Sequence, residues 1–268
     1  MERLLVVKAE VRECDAEVML NGIPLARLSA ARPSAIVPVH EYTLAGPNRL
    51  QITIWPLPAV PPKEPPARLS LVSSGRISAR VSLLLPRVGA AVEEASVRNL
   101  AQLEWAPPEG EGYEAPHLLS NDATLSVNFP RWRWLDAPPT EPTADLTARV
   151  LAFVQGLARD LADGQPEHYI SAARLRIEEL SLAYQRRPED EAARLHRHLL
   201  ALHEAQRLTW RPLEAANFHL RPLAGGRLLE CLDATGEAAL RTEPDELGRD
   251  FALPLRVSVV DGKVYILR

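Results

Sequence analysis

Cysteine is almost absent from this sequence of 268 residues. Only Cys14 and Cys231 occur, far apart, with no Cys-x-x-Cys pair and no Cys/His cluster. This usage indicates neither a disulfide framework nor a structural zinc site, and it is typical of a reducing compartment. We therefore expect a cytoplasmic protein that needs no metal and no other cofactor.

Long apolar runs and an excess of basic charge are missing as well. The apolar run Leu4 to Val7 is far shorter than a signal-peptide core or a membrane span of about twenty residues. The formal net charge of -4 gives no overall attraction to phosphate backbones or anionic membranes. We expect no cleaved signal, no membrane association and no nucleic-acid partner.

The common catalytic motifs are absent too. No GxxxxGK[ST], GxGxxG or GxSxG occurs, which removes the usual signals of nucleotide binding and of α/β-hydrolases. His203 and Glu204 begin like the zinc-protease motif HExxH, but Arg207 stands where the second ligand should be. His196 and His203 share a helical face whose charged neighbours indicate a solvated surface. No catalytic residue and no metal ligand is assigned.

Two regimes of hydrophobic spacing meet near the proline segment Pro138 to Pro142. Before it the apolar period is two, and after it a period near 3.6 runs for about sixty residues before strands return. We predict a multidomain protein. Residues 1–138 should form an antiparallel β-sandwich, and residues 143–268 an α+β domain with helices followed by an antiparallel meander.

The first domain shows clear turn and strand signals. Asn21-Gly22 predicts a hairpin, because both turn residues must take positive φ. Gly46-Pro47-Asn48 predicts a tight turn, after which alternate aliphatic residues of Leu50 to Ile54 face the core. The run Trp55 to Pro66 is read as a stiff, extended connector. Further strands are predicted at Ile36–Val39, Arg68–Val72, Gly75–Leu85, Val97–Trp105 and Ala123–Phe129.

The segments Asn21 to Leu25 and Gly46 to Ile54 resemble the jelly-roll, galactose-binding-like modules that accompany bacterial enzymes. There an NG hairpin and a GxNxLxVxV strand recur. The resemblance covers roughly the first sixty residues and implies a jelly-roll-like sandwich. Sugar binding is not carried over, because any sandwich can use these turns.

The second domain begins with three predicted helices. Thr143 or Asp145 caps the first, which ends at Asp163 to Pro166; the second runs from about Glu167 to Arg186, and the third from Glu189 to about Arg207. Strands follow at Leu208–Leu213, Asn217–Leu223, Arg227–Leu232, Ala238–Thr242, Phe251–Val260 and Lys263–Leu267.

This succession resembles the NTF2-like (cystatin-like cone) superfamily, through the loop Asp163 to Tyr169 and the terminal hairpin Val259 to Ile266. The resemblance implies a curved sheet around a helix with a conical cavity, in which enzymes of the family hold ionisable groups. On that basis the candidate ligand-binding residues are Tyr169, His219 and Glu230. The spacing turns His219 toward solvent, whereas Glu230 shares its face with leucines.

The tetrad Arg131-Trp132-Arg133-Trp134 has two interpretations. It is either an aromatic and cationic surface for protein recognition, or a segment whose tryptophans pack the sandwich against the second domain. We favour the second.

Three functions stay open. The first is a non-catalytic binding or assembly protein whose partner is another protein, because no catalytic constellation is present. The second is a small-molecule enzyme or ligand carrier that uses the C-terminal cavity. The third is carbohydrate binding by the sandwich, for which the aromatic residues are chiefly Tyr42 and Trp55.

Overall fold

A computed structural model describes residues 3–56, 69–89, 92, 97–126 and 128–268. Within these residues the fold is mixed, with several antiparallel sheets, four α-helices and more strand than helix. The chain divides into two compact units, Met1–Pro130 and Arg131–Arg268. Across the described ranges, no helix combines the length and apolarity needed to cross a bilayer.

The described residues of the first unit form two four-stranded antiparallel sheets and one two-stranded sheet. One sheet has the order β4-β1-β7-β8, the second β10-β5-β2-β3, and β6 pairs with β9. The strands are β1 (Val6–Arg12), β2 (Cys14–Leu20), β3 (Ile23–Leu28), β4 (Ser34–Pro38), β5 (Gly46–Pro56), β6 (Leu69–Val72), β7 (Ser78–Leu85), β8 (Arg98–Trp105), β9 (Gly112–Ala115) and β10 (His117–Leu125).

The core of this unit is built from alternate residues of both large sheets. Ile52 and Val18 from one sheet join Val7 and Val81 from the other in a single buried cluster. The period of two places these side chains on one face of each strand. The predicted alternation of Leu50, Ile52 and Ile54 is confirmed by their burial.

The Asn21-Gly22 hairpin is confirmed. Both residues have positive φ, 55° and 74°, and Leu20 pairs with Ile23 across the turn. The tight turn predicted at Gly46 to Asn48 is wrong, because these residues already pair with β10 as the start of β5. Asn48 instead organises the loop before the strand: its buried side chain bonds to the backbone N–H and C=O of Leu44 at 2.8 Å each.

Two strands of the first unit were not predicted from the sequence, and one predicted segment lies mostly outside the described residues. β1 and β9 were not predicted as strands. Most of the connector predicted over Trp55 to Pro66 lies outside the described residues, and Trp55 and Pro56 are the end of β5.

The second unit begins with four helices. They are α1 (Ala144–Ala162), α2 (Glu167–Ala172), α3 (Arg174–Ala183) and α4 (Pro188–Glu204). Thr143 caps α1, because its side-chain oxygen accepts a hydrogen bond from the backbone N–H of Leu146 at 3.2 Å. The second predicted helix is divided at Ala173, although no glycine or proline marks the break.

A four-stranded antiparallel sheet follows the helices. It comprises β11 (Phe218–Leu223), β12 (Leu228–Asp233), β13 (Arg256–Val260) and β14 (Lys263–Ile266), in sequential order. The buried stripe of α1, which includes Val150 and Val154, packs with Leu220 and Val257 of this sheet. The strands predicted at Leu208–Leu213 and Ala238–Thr242 do not form, and these segments contain only isolated β-bridges.

Candidate functional site

The three predicted ligand-binding residues have different surroundings. His219 is exposed on β11. Tyr169 is buried in the core that α2 forms with α1 and the sheet, and its hydroxyl accepts from Arg176 at 3.4 Å. Glu230 is buried on β12 and is bonded to arginines. None of the three lines the pocket described below.

Glu230 is the middle of a row of charges across three strands. The strand register puts Arg221 on one side of it and Arg256 on the other. Arg221 Nε donates to Oε2 at 3.0 Å, and Arg256 Nε donates to Oε1 at 3.1 Å. Both carboxylate oxygens are therefore engaged by the protein itself, and we call this set the Glu230 row.

The Glu230 row also sets the protonation state of its carboxylate. Burial acts to raise the pKa of Glu230, but the two guanidinium groups outweigh it and hold the pKa below its usual value of 4.5. A general base working near neutral pH needs a raised pKa and access to its substrate. The surroundings of Glu230 give it neither, and they suit a structural ion pair.

The tetrad Arg131 to Trp134 belongs to the second unit. Trp132 and Trp134 are 0% and 3% exposed, so they do not form an exposed aromatic surface. The guanidinium of Arg268 lies 5.5 Å from the ring centroid of Trp132. The two arginines of the tetrad remain exposed, and Arg131 pairs with Asp136 at 2.8 Å. Packing of the tryptophans between two domains stays a prediction.

Glu179 on α3 anchors this tetrad, and sequence reasoning missed it. Its carboxylate, 5% exposed, accepts from the backbone N–H of Arg133 at 2.6 Å and from the buried guanidinium of Arg268. The neighbouring Glu178 pairs with the guanidinium of Arg133 at 2.7 Å on the surface. No local pattern distinguishes the two glutamates in the sequence, because their partners come from distant segments.

Aromatic residues of the first unit pack against one another beside its core. Trp105 stacks on His117 with centroids 4.7 Å apart and meets Tyr113 edge-on at 5.1 Å. Burial raises the pKa of the nearby Cys14 thiol to about 11, so this cysteine is not a reactive thiolate. Tyr42, one of the aromatic residues considered for sugar binding, packs against the same core.

Metal ligands do not cluster in the part of the chain that the structure describes, where no group of three or more His, Cys, Asp or Glu side chains could hold an ion. His196 pairs with Glu167 at 3.0 Å instead.

A pocket of about 530 Å³ lies where the carboxyl-terminal ends of α1 and α4 meet the segment Leu208–Trp210; we call it the α1–α4 pocket. Its lining is formed by Ala158, Arg159, Ala162, His203, Gln206, Leu208, Thr209 and Trp210.

Two similar helix ends build this pocket. After α1, Gly164 has φ +73° and Gln165 N–H donates back to Asp160 C=O at 2.8 Å. After α4, Gln206 has φ 53° and Arg207 N–H donates to Leu202 C=O at 2.9 Å. Both ends follow the Schellman pattern, which pairs carbonyls that a helix end would otherwise leave open.

Glycine at position 164 is required twice over. Its positive φ favours glycine, and a Cβ there would lie 2.7 Å from Nε2 of His203. The imidazole of His203 therefore packs directly over Gly164 and forms one wall of the pocket.

Each polar side chain of the α1–α4 pocket can donate a hydrogen bond, and the guanidinium of Arg159 can only donate. Among the described lining residues the ionisable ones are Arg159 and His203, none is acidic, and Gln206 and Thr209 add neutral polar groups. None of these four side chains bonds or pairs with a described residue. Leu208 and the ring of Trp210 supply the apolar wall, and the buried indole N–H of Trp210 has no hydrogen-bond partner among the described residues.

The sequence contained one indirect signal of this pocket. The incomplete HExxH motif that begins at His203 includes two lining residues, His203 and Gln206.

Comparison of the whole chain with known protein families, curated proteins and solved structures finds no match.

Proposed function

We propose that this chain is a non-catalytic protein-binding protein and that a segment of its partner enters the α1–α4 pocket. One observation carries the proposal. The pocket's polar side chains have no partners among the described residues, whereas Glu230 and Glu179 are fully engaged by arginines. Polar groups that are left available in a concavity are those that a partner can use.

The lining of the pocket argues against catalysis. Of the lining residues that the structure describes, His203 is the one that commonly acts as a general base, and none of the others carries a carboxylate that could orient it. Arg159, Gln206 and Thr209 can bind and position a ligand, but they form no nucleophile and base pair with His203 in this geometry.

A small-molecule carrier is the second candidate. The volume of about 530 Å³ falls in the range of small-molecule sites, which is roughly 300–1,000 Å³. The experiment below separates the two candidates, because a diffusible ligand forms no protein adduct.

We also propose fold families and a location. The helices followed by a four-stranded antiparallel sheet support an NTF2-like second unit, and the two sheets that share a core support a jelly-roll-like first unit. The free thiols of Cys14 and Cys231 support a cytoplasmic location.

Site-specific photo-cross-linking in the cells that make the protein tests the proposed function. Benzoylphenylalanine is placed at Thr209, an exposed lining residue, and in a control at Lys263, an exposed residue of β14 outside the pocket. We expect one discrete protein adduct from Thr209 and none from Lys263.

Two results count against the proposal. The first is the absence of a protein adduct at Thr209, or the same adduct at both positions. The second is native mass spectrometry of the purified protein that finds a bound small molecule and no adduct, which supports the carrier.

A further inference from the structure

We infer that the α1–α4 pocket recognises a carboxylate that adjoins an apolar group, presented by an acidic side chain of the partner protein. This inference rests on the proposed function and specifies the chemistry of the same site.

The guanidinium of Arg159 has no partner among the described residues, which supports the inference first. Residues 131–268 are rich in arginine, and nearly all of these guanidinium groups bond to a carboxylate or a carbonyl, as Arg133, Arg227 and Arg241 do. Arg176 bonds to the hydroxyl of Tyr169 instead, and among the described residues of this range only Arg159 and Arg197 have guanidinium groups with no hydrogen bond or ion pair. Of these two, Arg159 lines the pocket. It offers a planar set of donors that matches a carboxylate.

The helix ends are the second argument. A helix carboxyl terminus carries partial negative charge, which disfavours a nearby anion. Here the Schellman bonds pair the carbonyls of Asp160 and Leu202, and Arg159 and His203 lie in the last turns of the two helices. A charge-assisted bond to Arg159 has a larger effect than the residual field of a helix end. An entering carboxylate therefore finds hydrogen-bond donors and, among the described lining residues, no competing carboxylate.

The apolar wall is the third argument. Leu208 and Trp210 line the same pocket as Arg159, together with Ala158 and Ala162 of α1. A bare inorganic anion would leave this wall in contact with water. A carboxylate attached to an aliphatic group covers the wall and reaches Arg159 at the same time.

The test uses isovalerate as the probe and isovaleramide as its neutral counterpart of the same shape. Binding is followed in the full-length protein through the indole N–H resonance of Trp210, assigned by its loss in Trp210→Phe. Since the ring lines the pocket, a bound probe shifts this resonance. We expect saturation by isovalerate with a dissociation constant of about 1–10 mM. The amide should bind about tenfold more weakly.

Arg159→Gln and Arg197→Gln are matched variants for this test. The first should lower isovalerate affinity about tenfold, to that of the amide, and the second should leave it unchanged. Unperturbed resonances elsewhere in the spectrum show that both variants are folded.

Three results would overturn the inference: no shift with isovalerate, equal affinity for the amide, or unchanged affinity in Arg159→Gln. If one of these results is found together with a cross-linked adduct at Thr209, the inference that the pocket recognises a carboxylate is refuted. The proposed protein-binding function is then still supported by the adduct. A carboxylate preference without an adduct instead points to a free metabolite, which refutes both protein binding and the partner side chain named here.

Discussion

The Glu230 row and the α1–α4 pocket are both arginine-containing sites of the second unit, yet they differ in what the arginines contact. In the row, Arg221 and Arg256 hold a buried carboxylate from both sides. In the pocket, Arg159 has no partner among the described residues. The comparison teaches that charge and burial alone do not identify a binding site. A charged group that is already paired stabilises the fold, and one without a partner is available to a ligand.

The largest expected effect on the free energy of unfolding is at Glu179, a second buried carboxylate that is paired with an arginine. Glu179→Gln leaves the buried guanidinium of Arg268 without a counter-charge, so we expect the free energy of unfolding to fall by about 3 kcal/mol. Urea unfolding measures this. Glu178→Gln is the matched control, because Glu178 is more exposed and its pairs should contribute under about 1 kcal/mol. Equal losses in both variants would contradict the structural role of Glu179.

The Glu230 row should show the next largest effect and a pH dependence. We expect Glu230→Gln to lower the free energy of unfolding by about 2 kcal/mol at neutral pH. The pKa of Glu230 is lowered in the folded state, so its stabilisation is present above the unfolded value near 4.5 and is lost as pH falls through the folded pKa.

Urea unfolding of Glu230→Gln as a function of pH checks that sign. The difference from the unsubstituted protein should shrink as the pH is lowered below about 4.5. A difference that stays constant or grows in acid would show that the carboxylate is not held in its charged form.

Two glycines sharpen the comparison at the pocket wall. Gly164 and Gly248 have φ of +73° and +71°, but a Cβ meets His203 at the first and nothing within 4 Å at the second. Both Ala variants should lose about 1 kcal/mol to backbone strain. Gly164→Ala should also displace the imidazole of His203 and lose up to about 1 kcal/mol more. Thermal unfolding and the His203 imidazole resonances measure this, and an unmoved His203 would contradict the described wall.

The smallest effect on stability is expected at the unpaired arginines. Arg159→Gln and Arg197→Gln remove no bond to a described residue, so each should change the free energy of unfolding by less than about 0.5 kcal/mol. Urea unfolding of the two variants checks this. A loss of 2 kcal/mol or more in Arg159→Gln, about the size expected at the row, would mean that Arg159 has a structural partner.

Local signals in the sequence predicted those elements that short-range chemistry determines. Asn21-Gly22 predicted its hairpin, and Thr143 predicted the start of α1, because a turn or a cap depends on a few neighbouring residues. The break at Ala173 and the loss of a strand at Leu208–Leu213 depend on tertiary packing, which overrides local preference.

The candidate site could not be predicted from the sequence, because its residues are brought together by tertiary structure. Residues 228–232 of β12 are all buried, so alternation along the strand does not single out Glu230, and its two arginines follow from the register of three strands. The α1–α4 pocket is assembled from the end of α1 and, some forty residues later in the sequence, from the end of α4 and the segment that follows it. No motif spans them, and only the fold brings Arg159 and Thr209 together.

The most direct measurement of the central claim is the yield of the Thr209 photo-adduct in two backgrounds, Arg159→Gln and Arg197→Gln. If the unpaired guanidinium of the pocket binds the partner, the adduct disappears in the first background and persists in the second, at equal stability. An adduct that survives both substitutions would contradict the claim that Arg159 is the group left available for binding.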